Sequence, residues 1–399
     1  MKYIISILLI VVISTESFGQ NSQIKSSDIT SFTYPFNIEN NKLIGLGADT
    51  LKNAIRESQF FMLGEEHMSP QISELTNVLL PYFSSNGYKN FALEVGPFTA
   101  KIIQKEIKFK NSLYEFNSSF YAKYKDVPIP FFDGTKDEEF IKTALKNNFK
   151  LWGLDQEYIT APLFLLDEIN SILKDSNSTK ELYSKAKEYL TQQLSSFNSE
   201  KENQYFEMFD SDNDFTKYIK HCNNPKQKEI INALRISMDI YKQQNWNGNQ
   251  VRMEYMKRNF SNNYKIAQKK DDFPKVLIKM GSMHLGWGKS WLGIYDLGNM
   301  INELANYNGT KSVSINCFSR YIEEENGTIS DYMSDQEGKN LSLILELATK
   351  DSWTLVDNKK IIELTRNRKI KLNNDLNFLL SRYDYILFAP LKTKVKNNY

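Results

Sequence analysis

The sequence predicts an α/β fold: a mostly parallel sheet flanked by helices, with a large helical insertion between the third and fourth strands. Three observations carry this reading. Six short apolar runs rich in aromatic or β-branched residues read as strands, at 60–63, 91–95, 151–154, 276–280, 313–318 and 385–388. Most are continuous rather than alternating, as expected of strands covered on both faces. The segments between them carry helical signals, and strand, helix, strand in succession favours parallel pairing. Finally, the stretch 160–274 shows helical spacing and little strand character, which makes it too long for a simple crossover.

Each element has a local cause. Ser69-Pro70 can cap and start a helix whose apolar positions Ile72, Leu75, Leu79 and Tyr82 keep helical spacing. Thr135 to Glu138 is a capping-box pattern leading into Phe140, Ile141 and Leu145, just before the third strand. Within the insertion, three apolar series mark at least three amphipathic helices: Leu165, Ile169, Leu173; Leu182, Ala186, Leu190; and Ile231, Leu234, Met238, Tyr241. No Pro/Gly/Ser linker brackets them. The stretch of about 160–274 is therefore expected to be a helical cap over the sheet's carboxyl edge, inside one domain spanning 20–399.

The N-terminus reads MKYIISILLIVVISTESFGQ: one lysine, an apolar run too short to span a bilayer, then small and polar residues. That is the layout of a secretory signal. Ser17 and Gly19 suggest cleavage before Gln20, so residues 1–19 are expected to be removed and the protein exported, periplasmic or secreted. No second long apolar stretch follows, which predicts no stable membrane insertion after cleavage. Lys and Arg (50) nearly cancel Asp and Glu (48) without segregating into blocks, which argues against nucleic acid or an anionic membrane as partner. Cys222 and Cys317 form neither a metal-type pair nor a disulfide scaffold. One bridge between them and two isolated buried thiols both remain open.

Histidine is scarce, three in the whole chain, and two of them fall just after predicted strands. Glu65, Glu66 and His67 follow the first strand; Glu94 ends the second; Asp155, Gln156 and Glu157 follow the third; Ser282 and His284 follow the fourth. In open α/β sheets, ligands bind beyond the carboxyl ends of the strands. Singly, each position has a structural explanation, since a histidine after a strand is more often a hydrogen-bonded framework residue. Jointly they point to one site, because buried charges must pair with one another or with a ligand. His221, in KYIKHCNNP, has no such context and reads as a surface residue. In NQVRMEYMKRNF, Arg252, Met256 and Asn259 share a helix face, leaving Arg252 either solvated or aimed at the strand edge.

The succession LGEEH, FALEVG, WGLDQEY, the Arg252 helix, IKMGSMHLG and YDYILFAP resembles, in that order, the erythromycin esterase-like branch of the superfamily that includes Tiki/TraB proteases and ChaN-like haem-binding proteins. The resemblance covers most of the chain after residue 19. It implies that His67 is the catalytic histidine, Glu65 its nearby acid, Glu94 the second-strand glutamate, Arg252 the helix arginine and His284 the second active-site histidine. Glu65 lies two residues before His67 and Met68 follows it, a spacing closer to ChaN-like sequences.

The chemistry expected is hydrolysis of an ester or related acyl bond in a small-molecule substrate. His67 takes a proton from water, Glu65 or Glu94 orients the imidazole, and Arg252 or His284 stabilises the oxyanion. Glu66, Asp155 and Ser282 are candidate substrate-binding residues. No Gly-x-Ser-x-Gly elbow is present, so a serine nucleophile is not indicated. No metal ligand set is assigned and no cofactor is required on this reading. Two alternatives use the same edge: a haem or other ligand held by His67 or His284 with tyrosines lining a pocket, and a Tiki-like metallopeptidase holding a divalent ion.

Overall fold

The computed structural model describes residues 24–173, 177–198, 207–243 and 246–399. The expected signal segment, 1–19, lies outside them. The strands among the described residues are β1 (Thr33–Glu39), β2 (Lys42–Ile44), β3 (Phe60–Glu65), β4 (Asn90–Leu93), β5 (Lys150–Gly153), β6 (Val276–Gly281), β7 (Ser312–Ser319), β8 (Tyr321–Glu323), β9 (Ile329–Asp331), β10 (Trp353–Asp357) and β11 (Tyr385–Ala389). Nine form one sheet in the order β2-β1-β10-β11-β7-β3-β6-β4-β5, and β8 pairs with β9 in a separate ribbon. The run from β11 to β5 is parallel throughout. The expected mostly parallel α/β architecture is thus present, and all six expected strands belong to the parallel part.

The continuous apolar runs have the anticipated cause. Along β3, Phe61 and Leu63 join a core built with Ile72, Leu75 and Phe83 of the helix Pro70–Ser85, while Phe60 and Met62 face the opposite layer. That second layer contains Met256 and Phe260 from the helix Trp246–Gln268 and Leu297 and Ile301 from the helix Leu297–Tyr307. Side chains alternate across a strand, so a strand covered on both sides must be apolar at every position.

The antiparallel extension of the sheet was not anticipated. β10 pairs antiparallel with β11, β1 with β10, and β2 with β1. Pro35 sits in β1, and a proline inside an apolar run argues against a strand because it cannot donate to a ladder. β1 splits its pairing instead, Thr33 to Phe36 against β10 and Asn37 to Glu39 against β2.

The insertion between β5 and β6 consists of the helices Ala161–Ser171, Asn177–Asn198, Asp214–Ile219, Pro225–Lys242 and Trp246–Gln268. Leu165, Ile169, Ala186, Leu190, Leu234 and Met238 pack together there with Ile102 and Phe120 from outside the insertion. Cys222 and Cys317 are both buried free thiols.

Candidate active site

The carboxyl ends of β3, β4, β5 and β6 bring the expected residues into one buried cluster. Glu94, 7% exposed, is its centre. Its Oε1 accepts from Arg252 Nη2 at 2.9 Å and lies 3.5 Å from His284 Nε2. Its Oε2 accepts from the Gly281 amide at 2.6 Å and lies 3.5 Å from His67 Nε2. Burial alone would raise this carboxyl's pKa, but His284, Arg252 and His67 together hold it far below the usual range.

His67 is bracketed by carboxylates. Its buried Nδ1 sits 3.3 Å from Glu65 Oε1 without a directed hydrogen bond. One ring face is stacked on Phe131, centroids 3.8 Å apart and 8° from parallel. With its side chain 31% exposed, His67 is the most accessible of the two clustered histidines and their carboxylate partners. Met68 and Phe131 both have left-handed backbones, at φ 57° and 65°, so two non-glycine residues beside the imidazole carry local strain.

Each neighbour is fixed in turn. Glu65 pairs with Lys279, a lysine from β6 that is 4% exposed and lies over the Phe140 ring. Burial pushes the Glu65 carboxyl up, but Lys279 and His67 outweigh it, leaving it below its ordinary range. Arg252 grips Asp155 with Nε at 2.9 Å and Nη2 at 2.6 Å, and Nε also donates to Gln156 Oε1. His284 Nδ1 faces Asp296 at 3.1 and 3.2 Å. Burial alone would lower the His284 pKa, but Asp296 and Glu94 drive it up to about 10, so it is an imidazolium at neutral pH.

Two glycines are there because nothing larger fits. A Cβ on Gly64 would lie 2.8 Å from both the Ile315 carbonyl and Ser282 Cα. One on Gly281 would lie 2.8 Å from His67 Nε2 and 3.3 Å from Glu94 Oε2.

The structure therefore brings Glu65, His67, Glu94, Asp155, Arg252 and His284 together. Asp155 and Arg252 are engaged with each other through the Arg252 Nε and Nη2. Of the remaining candidates, Glu66 accepts from Lys392 at 2.8 Å and from the Ser319 amide at 3.1 Å. Glu66 and Ser282 line a cavity of about 670 Å³ that lies beyond the ends of β3, β6 and β7. His221 is exposed, as expected. Asn259 donates to the Leu154 carbonyl at 2.8 Å and Met256 is fully buried, so the helix does turn the Arg252 face toward the sheet. Sequence reasoning missed Lys279, Asp296 and Phe131. Only Lys279 left a signal, as a charge inside the apolar run VLIKMG.

Among solved structures, a mutant erythromycin esterase in its open conformation aligns with 88% of this chain and 94% of its own, at 14% identity and a TM-score of 0.53. The two share a fold. A succinoglycan biosynthesis protein aligns with 93% of this chain and 97% of its own, at 15% identity and the same TM-score of 0.53. A haem-bound ChaN from Campylobacter jejuni covers 90% of this chain and 96% of its own at 13% identity, but its TM-score of 0.33 is too low to read a shared fold from. No protein-family model and no curated protein matches the chain.

Proposed function

We propose that the protein is a hydrolase of an ester or related acyl bond in a small molecule, with His67 as general base. The observation that carries this reading is the setting of His67: a partly exposed imidazole between two buried carboxylates, at the strand edge where α/β sheets bind ligands. Water would attack the acyl carbon as His67 takes its proton, and the same proton would pass to the leaving oxygen as the tetrahedral intermediate collapses. On either nitrogen that proton rests beside a carboxylate, Glu65 or Glu94. Arg252 holds Glu94 and Asp155, and His284 holds Glu94 and Asp296, so both cations position the carboxylates rather than wait for an oxyanion. This changes the role assigned to Arg252 and His284, from oxyanion contact to positioning.

The donor set fits a divalent ion poorly. Glu65 is occupied by Lys279 and Glu94 by Arg252 and the Gly281 amide, so a metal would have to displace cations already paired in a buried place. No group of three or more His, Cys, Asp or Glu among the described residues is arranged to hold one. A panel of generic esters, lactones and peptides offered to the purified protein tests the reaction class. Turnover of esters or lactones supports it, and cleavage of peptides alone would overturn it.

We further propose that residues 1–19 direct export. N-terminal sequencing of protein from its native host should begin at Gln20, and a chain beginning at Met1 would refute this.

A further inference from the structure

The cavity beside the cluster has a chemical bias that the hydrolytic site does not require. Its walls include Trp291, Phe318, Leu341 and Leu379, an apolar lining suited to the body of a small organic molecule. Three carboxylates also line it, Glu66, Glu337 and Asp375, and no Lys, Arg or His stands among the described lining residues. Glu66 is neutralised by Lys392. The other two have neutral partners: Glu337 lies beside the Tyr332 hydroxyl, and the Asn340 amide donates to Asp375 at 2.6 Å. Neither partner cancels the charge.

The Tyr332 phenol, itself in the lining, registers the resulting field. Burial raises its pKa, and Glu337, Asp335 and Glu66 raise it further. The cation behind the Trp291 wall, Arg382, is directed elsewhere. Its guanidinium donates to the Trp287 and Met283 carbonyls and lies over the Phe378 ring, against which Trp291 packs at 3.8 Å. Trp291 is 58% exposed, so its ring is open to a ligand as well as to Phe378.

We propose that this cavity binds organic cations: molecules with an ammonium group on an apolar, ring-sized body. The carboxylates attract the charge, the aromatic faces of Trp291 and Phe318 add cation–π contact, and the apolar walls take the body. The cavity shares Glu66 and Ser282 with the catalytic edge, each one residue away from a cluster member, His67 or Gly281. His67 itself lies outside the lining, and on the proposed function an acyl group on such a molecule is the part to be presented toward it. The inference deepens the proposed function, resting on it only for the presentation of an acyl group to His67; the binding preference stands independently.

The test compares three probes of one shape by calorimetry: a naphthylbutyl ammonium, the corresponding neutral alcohol and the corresponding carboxylate. The ammonium is expected to bind about 10-fold more tightly than the alcohol, the gain of two partly screened carboxylates with aromatic contact, and the carboxylate most weakly. The double variant Glu337→Gln/Asp375→Asn should abolish the preference while leaving alcohol affinity unchanged, and circular dichroism should match the parent. Equal or tighter binding of the alcohol, a preference that survives the double variant, or failure of all three to bind would overturn the proposal. The same titrations on His67→Ala separate it from the hydrolase reading. An ammonium preference there with no ester turnover by the parent protein would sink the reaction and keep the site, whereas turnover without the preference would do the reverse.

Discussion

Raising the pH from 6.5 to 9 should destabilise the protein mainly through His284, since the burial-raised thiols of Cys222 and Cys317 act above that window. Its imidazolium lies between Asp296 and Glu94, and its folded pKa is about 10 against an ordinary value of 6.5. Because the folded value is the higher one, the stabilisation is complete below pH 6.5 and is lost as the pH climbs toward 10. Integrated over that interval, the loss has an upper bound of roughly 5 kcal/mol, and relaxation of the neutral ring against Asp296 reduces it to about 2–4 kcal/mol. Urea unfolding between pH 6.5 and 9 should therefore show stability falling by up to about 1.4 kcal/mol per pH unit. The His284 ring signal in protein labelled at histidine should titrate near pH 10. Asp296→Asn keeps the cap on the helix Leu297–Tyr307, where the side chain accepts from the Leu297 amide, but removes one of the two charges. That variant should show a shallower slope. Glu157 and Asp137 do not confound the test: their burial-raised values of about 7 and about 6 place their effect, a loss of stability with rising pH, mostly below pH 7. Stability that is flat across the alkaline window, or identical slopes for the parent and Asp296→Asn, would refute the reasoning.

Two other substitutions probe the cluster from its sides. Gly281→Ala should lower turnover by at least about 10-fold without changing a chemical group, because its Cβ would enter the space 2.8 Å from His67 Nε2; parent-like rates would show that this spacing is irrelevant. Lys279→Met removes the cation facing the buried Glu65 and should cost about 3–5 kcal/mol of stability at neutral pH, with much of the loss restored at low pH once Glu65 is protonated. A Lys279→Met protein as stable as the parent in urea would contradict the pairing.

The parallel half of the fold was legible because its strands are short apolar runs, bounded by turn residues and covered on both faces. The antiparallel half was not: Pro35 disguises β1, and β10 is a five-residue run, Trp353 to Asp357, whose pairing depends on β11 and β1 rather than on its own pattern. The site was legible through position. Glu65, His67, Glu94 and His284 were found because each follows or ends an expected strand, whereas the helix spacing left Arg252 either solvated or aimed at that edge, and only the family resemblance assigned it to the site. What the sequence hid was the partnership among them. Asp296 reads as an ordinary helix cap until the fold places it against His284, and Phe131 lies in a loop with no motif. The engagement of Arg252 by Asp155 and Gln156 is a contact between residues nearly 100 positions apart, which no local spacing announces.

The central claim, that His67 is the base, is tested most directly by comparing steady-state ester hydrolysis by the parent, His67→Ala, Glu94→Gln and His221→Ala, with circular dichroism checking that each folds. The account predicts a fall of about 10²- to 10⁴-fold for His67→Ala, a marked fall for Glu94→Gln and none for His221→Ala. Full turnover by a folded His67→Ala protein alongside an inactive Glu94→Gln would contradict it and transfer the role of base to Glu94.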